Sequence, residues 1–174
     1  MLKLYMNKLL FISLIFIATL LSAKEPMLGI LKSVPSSYLQ KFTIANMNYY
    51  CKAYAVLSVD ELTQRDNLNA TCKKTLSSFF LRQPQTKYFS QELLHVMQTY
   101  HLEFKDKECL LFAQGEVTLS ELLLREGLAV LVPNFQDEEY KGLFTRAQRN
   151  ARFERKGIWS EGVARDCIAE IYKK

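Results

Sequence analysis

The chain has 174 residues, of which 49% are hydrophobic, 24% charged and 12% aromatic. That is the composition of a folded globular protein, and it excludes a disordered polymer, a collagen-like fibre and a low-complexity tail. The formal charge of +5 permits a polyanionic partner without demanding one, and only six Gly and four Pro leave little room for long flexible linkers.

Lys3 and Lys8 precede an apolar run from Leu9 to Leu21, which gives way at Ser22-Ala23 to polar Lys24-Glu25-Pro26. A basic start, a short apolar stretch and a small residue at the junction define a secretory signal peptide. Cleavage after Ala23 is expected, with residues 1–23 as the leader and 24–174 as a single domain. A retained membrane anchor is the alternative, but the run is shorter than the roughly 20 residues that cross a bilayer. The chain is therefore expected to be exported, periplasmic or secreted, without stable membrane insertion once cleaved. Cys51, Cys72, Cys109 and Cys167 form an even set with no C-x-x-C pair. In an oxidising compartment they predict two disulfides rather than zinc, for which His95 and His101 alone are poor support. Sequence allows three pairings.

The front of the mature chain predicts short strands at Met27–Leu31, Lys41–Ala45, Tyr49–Cys51 and Ala53–Leu57. Leu68, Cys72, Leu76, Phe79 and Phe80 recur at helical spacing over 69–81, and Gln83-Pro84 ends that helix. A further short helix is expected within 90–97, followed by strands over 98–104 and 109–113. Thr118-Leu119-Ser120-Glu121 has the pattern of a capping box before a helix that stops at Gly127. Leu128–Val132 predicts a buried extended segment. A long helix then runs from about Asp137 to Lys156, with acidic residues at its start and basic ones at its end. Tyr140, Leu143, Phe144, Ala147 and Ala151 form its inner face, and Gly157 stops it before the apolar Ile158-Trp159 anchor.

The string Ser120-Glu121-Leu122-Leu123-Leu124-Arg125-Glu126-Gly127-Leu128-Ala129 precedes Tyr140, Leu143, Ala147-Gln148, Ala151-Arg152 and Gly157-Ile158-Trp159. Together these resemble the C-terminal half of the staphylococcal nuclease-like (thermonuclease) family, most clearly over 100–159. The resemblance implies an α+β fold: a five-stranded OB-type β-barrel with about three α-helices. Because the third and fifth strands of such a barrel are neighbours, it also implies pairing of Cys51 with Cys109, leaving Cys72 for Cys167.

Members of that family cleave phosphodiesters with calcium, an acidic general base and two arginines. Carboxylates hold the hard cation, a carboxylate helps activate water, and guanidinium forks stabilise the developing charge. Here the resemblance puts Asp60 at a calcium-ligand position, Ala55 at an arginine position, Thr63 where the catalytic Glu belongs and Lys107 near the second arginine. No acidic residue lies within 27–59, and no arginine within 27–62. Lysine carries charge but lacks the bidentate fork. Asp60 and Lys107 are thus weak catalytic candidates, Asp60 is a weak metal ligand, and no cofactor is expected. Asp60, Glu61, Asp66 and Asp106 read as solvated loop carboxylates.

The resulting expectation is a catalytically impaired binding or structural module of the cell envelope, with an envelope protein or nucleic acid as partner. The alternative is an active secreted nuclease that hydrolyses DNA or RNA with Ca2+. Lys141, Arg146, Arg149, Arg152 and Arg155 on the long helix are candidates for polyanion binding, with Tyr49, Tyr50, Tyr54 and Tyr88 available for stacking. A plain solvated helix face is the competing reading, and Arg152 is also a candidate for bridging the helix to the barrel.

Overall fold

Alternating apolar and polar residues over the first third build three antiparallel strands: β1 (Met27–Ser36), β2 (Leu39–Ile44) and β3 (Met47–Lys52). They belong to a computed structural model that describes residues 27–173; the leader expected at 1–23 lies outside the described residues. The β2–β3 hairpin closes in two residues, with Ala45 and Asn46 both at positive φ. Such a turn matches the right-handed twist of its strands. Gln98 to Phe104 and Cys109 to Ala113 emerge as β5 (Thr99–Lys105) and β6 (Glu108–Gln114), followed by the short β7 (Val117–Thr118).

The main sheet is antiparallel with order β3-β2-β1-β5-β6-β7. It curls so that β3 returns to β6: Ala53 bridges Cys109 in parallel, and the Tyr54 N–H donates to the Cys109 carbonyl at 3.1 Å. Cys51 and Cys109 are disulfide-bonded across this seam, Cα atoms 5.4 Å apart. A separate pair, β4 (Val56–Ser58) with β8 (Ala129–Leu131), lies beside it. Leu31, Phe42, Leu102 and Leu110 are fully buried in the core. Gly29 packs closely there: a Cβ would press on the Leu102 side chain, 2.7 Å from its Cδ1.

The helices differ more from expectation. The stretch Val59–Thr63 is a short helix, α1, rather than a loop. Ser58 caps it and Glu61 reciprocates in a capping box, so the carboxylates expected in a solvated loop start a helix instead. The helix expected over 69–81 breaks at Ser78 into α2 (Ala70–Ser77) and α3 (Phe79–Arg82). The helix expected within 90–97 is α4 (Phe89–Leu93). α5 (Leu119–Arg125) is capped by the Thr118 hydroxyl, which accepts from the Glu121 N–H at 3.2 Å. α6 (Glu138–Glu154) is capped by Asp137, and Arg155 takes the left-handed stop two residues before Gly157. The final helix, α7 (Gly162–Tyr172), has no counterpart in the sequence reading. The second disulfide, Cys72–Cys167, ties it to α2.

Gly127 and Gly157 both have positive φ and meet backbone to backbone. A Cβ on Gly127 would strike the Lys156 carbonyl, and one on Gly157 the Gly127 carbonyl. The Ile158 N–H donates to that Gly127 carbonyl at 3.0 Å, fixing Trp159 in the core at 2% exposure.

Candidate functional site

The ends of β3 and β6 bring a cation and two acids together. The Lys52 ammonium lies 2.8 Å from both Glu61 Oε1 and Glu108 Oε1. Each carboxylate spends its other oxygen on the fold. Glu108 Oε2 accepts from the Ala55 N–H at 2.8 Å, and Glu61 Oε2 accepts from the Ser58 N–H and hydroxyl, each at 3.0 Å. Burial alone would lower the Lys52 pKa, but its bonds to Glu108 and Glu61 outweigh this and hold it above the ordinary lysine value.

Tyr54 connects this group to a second one. Its hydroxyl donates to Asp137 Oδ2 at 3.0 Å. Lys105 sits 2.9 Å from Glu103, 3.7 Å from Asp137 and 3.9 Å from Glu139, with its ammonium 5.5 Å from the Tyr140 ring centroid. Tyr54 packs edge-on against Phe135 and Tyr140. Burial and the bond to Asp137 push its phenol up to about 12. Taken together, Glu61, Glu103, Glu108, Asp137 and Glu139 outnumber Lys52 and Lys105, so this end of the sheet is acidic.

The positions singled out from sequence do not converge on it. Asp60 is exposed on α1 and lines a cleft with Tyr38 and Tyr88. Lys107 is exposed in the β5–β6 turn and lines a different cleft with Met27, Tyr49, Tyr50 and Phe104. Thr63 turns its hydroxyl back to the Asp60 carbonyl at 2.7 Å. Ala55, at the arginine position, is 2% exposed with φ +60°. Among the described residues no group of three His, Cys, Asp or Glu side chains is arranged to hold a metal ion. Glu61 and Glu108 share one ammonium and each commits its second oxygen to the fold, whereas calcium takes about six to eight oxygen ligands.

Lys141, Arg146, Arg149 and Arg152 on α6, and Arg155 at its C-cap, are all exposed. Lys141, Arg146 and Arg149 border a shallow groove with Glu138 and Thr145. Arg152 lies over the Trp159 ring, 5.1 Å from its centroid, which makes it part of the helix-to-core packing. His95 and His101 are exposed. Residues 85–161 match the protein-family model described as staphylococcal nuclease homologue. Over this stretch the chain is staphylococcal nuclease-like. The nuclease-like stretch contains Lys107, Glu108 and the α6 cations, whereas Ala55, Asp60 and Thr63 precede it. No curated protein matches the chain. No helix of the described residues is long and apolar enough to cross a membrane.

The Lys52–Glu61–Glu108 group escaped the sequence reading because it joins residues 56 positions apart across the β3–β6 seam. One local signal was present: Ser58 followed three residues later by Glu61 is a capping box, and it fixes the Glu61 carboxylate.

Proposed function

We propose that this staphylococcal nuclease-like domain is an exported binding module in which phosphodiester hydrolysis has been lost. The observation that carries the reading is the Lys52 ammonium held between Glu61 and Glu108, beside Ala55, the position at which the family resemblance calls for an arginine. A nuclease must attract a phosphate and stabilise extra negative charge as it reacts. An excess of carboxylates here opposes both steps, and Ala55 offers no donor but its backbone, already committed to Glu108. Loss of a single such donor typically costs about two to three powers of ten in rate.

The barrel reading belongs to the same proposal. β1, β2, β3, β5 and β6 serve as the five strands of an OB-type barrel, closed at Ala53–Cys109, with β7 and the β4–β8 pair as additions. The Cys51–Cys109 and Cys72–Cys167 disulfides fit an oxidising compartment, in keeping with export. A polyanion, either nucleic acid or an acidic envelope protein, would meet Lys141, Arg146 and Arg149 on α6, away from the acidic end.

Purified protein incubated with single-stranded DNA and Ca2+, with a chelator control, tests the reading. Intact DNA in both arms is expected. Cleavage that the chelator abolishes would overturn it in favour of an active calcium-dependent nuclease.

A further inference from the structure

The cleft that contains Asp60 is built from the β1–β2 turn, the start of α1, the α2–α3 junction and the approach to α4, and it shares only the Ser58 cap with the acidic end. Its volume is about 470 Å³, within the range of roughly 300–1,000 Å³ usual for small-ligand sites. Its walls combine aromatic and hydroxyl groups, with Tyr38, Phe80 and Tyr88 beside Ser36, Ser37 and Ser77. Tyr88 is 52% exposed. Two buried side-chain oxygens in the lining, Ser36 Oγ and Gln91 Oε1, have no hydrogen-bond partner, although nearly all such buried polar atoms in proteins are paired. The one acid and one base of the lining, Asp60 and Lys87, cancel in charge.

We infer that this cleft binds a neutral oligosaccharide. A sugar ring presents an apolar face, which an exposed phenol ring covers, and a rim of hydroxyls that both donate and accept. Tyrosine phenols do both, the Ser37 and Ser77 hydroxyls can still accept while donating to the Lys87 and Lys74 carbonyls, and Ser36 Oγ and Gln91 Oε1 are unpaired. A polyanion is disfavoured by the absence of net positive charge and of any guanidinium in the lining. An extended peptide is disfavoured because strand addition needs an open sheet edge, and the walls here are a hairpin turn and helix ends. The Ser37 carbonyl is already taken by the Ser90 hydroxyl at 2.5 Å.

Titration of the isotope-labelled protein with chitotetraose, cellotetraose and maltotetraose, followed by backbone amide NMR, tests the inference. At least one probe should give saturable shifts centred on Ser37, Tyr88 and Gln91, unchanged by a roughly tenfold rise in salt. Tyr88→Ala, at an exposed position that leaves the fold intact, should weaken that binding about tenfold through lost ring contact. Tyr88→Phe should retain most of it, and Arg149→Ala on α6 should leave it unchanged. No saturable shift with any of the three sugars overturns the inference. So do shifts in this cleft produced only by a single-stranded oligonucleotide or by an unstructured peptide.

Discussion

The Tyr54 hydroxyl donates to Asp137 across 83 residues of sequence, at 3.0 Å, and so links the end of β3 to the first turn of α6. Asp137 at the same time caps α6, accepting from the Glu139 N–H at 3.0 Å and the Tyr140 N–H at 3.3 Å. One carboxylate therefore serves both the helix and its attachment to the sheet. Burial alone would raise the Asp137 pKa, but the bonds from Tyr54 and the two N–H groups hold it below the usual value.

Both shifts have a sign that can be measured. The depressed Asp137 carboxyl stabilises the fold above the ordinary carboxylate range, and that stabilisation is lost as pH falls through its lowered value. The raised Tyr54 phenol contributes stability that is complete below pH 10 and disappears as pH rises through about 12. An ultraviolet titration should show one tyrosine ionising near that value, and Asp137→Asn should bring it earlier. Tyr54→Phe should cost about 1–2 kcal/mol in urea unfolding at neutral pH.

Arginine at position 55 should not recreate a nuclease. Ala55 is buried with φ +60°, its N–H bonded to Glu108 and its carbonyl accepting from the Val132 N–H at 3.0 Å. A long side chain there is strained and overpacked, so Ala55→Arg should lose about 2–3 kcal/mol of stability and gain no cleavage of single-stranded DNA. Ala55→Gly, which relieves the backbone alone, should be neutral or stabilising by up to about 1 kcal/mol.

Lys52 is the counter-ion of two oriented carboxylates, and removing it should leave them to repel one another. Lys52→Met keeps Glu61 and Glu108 facing each other with no cation between them. The variant's deficit against the parent protein, measured by chemical denaturation, should shrink as added salt screens that repulsion. In the parent, the lysine's raised pKa keeps its contribution complete below 10.5 and loses it at higher pH.

Each disulfide spans a long loop, 58 residues for Cys51–Cys109 and 95 for Cys72–Cys167. Cys72→Ser with Cys167→Ser should cost about 2–4 kcal/mol. Because the bond joins α2 to α7, the loss should be accompanied by early hydrogen exchange in 162–172.

Gly142 lies exposed in α6, and a Cβ there meets nothing within 4 Å. Gly142→Ala should therefore raise stability by about 0.5–1 kcal/mol, read as a higher urea midpoint with an unchanged slope.

The residues that could be read from sequence are those whose cause is local. The Thr118 cap, the Gly127 stop and the 3.6-residue stripe of Tyr140, Phe144, Ala147 and Ala151 all act within a turn or two of themselves, and α5 and α6 match the expectation closely. α7 carries no local start signal, because Gly162 and the preceding turn have no side-chain cap, although Ala164, Cys167, Ile168 and Ile171 form a regular buried stripe. The acidic end of the sheet was illegible for another reason. Lys52, Tyr54, Glu108 and Asp137 each look like ordinary surface residues in the chain, and only the closure of β3 on β6 and the docking of α6 bring them together.

The cysteine connectivity has a consequence for how the protein is made. In chain order the first cysteine joins the third and the second joins the fourth, so the two covalent loops interlock and no bond links sequence neighbours. A thiol that oxidises with whichever cysteine appears next produces Cys51–Cys72, a mispairing that only thiol exchange can undo. High-yield production therefore calls for a reshuffling catalyst or a redox buffer rather than a strong oxidant alone.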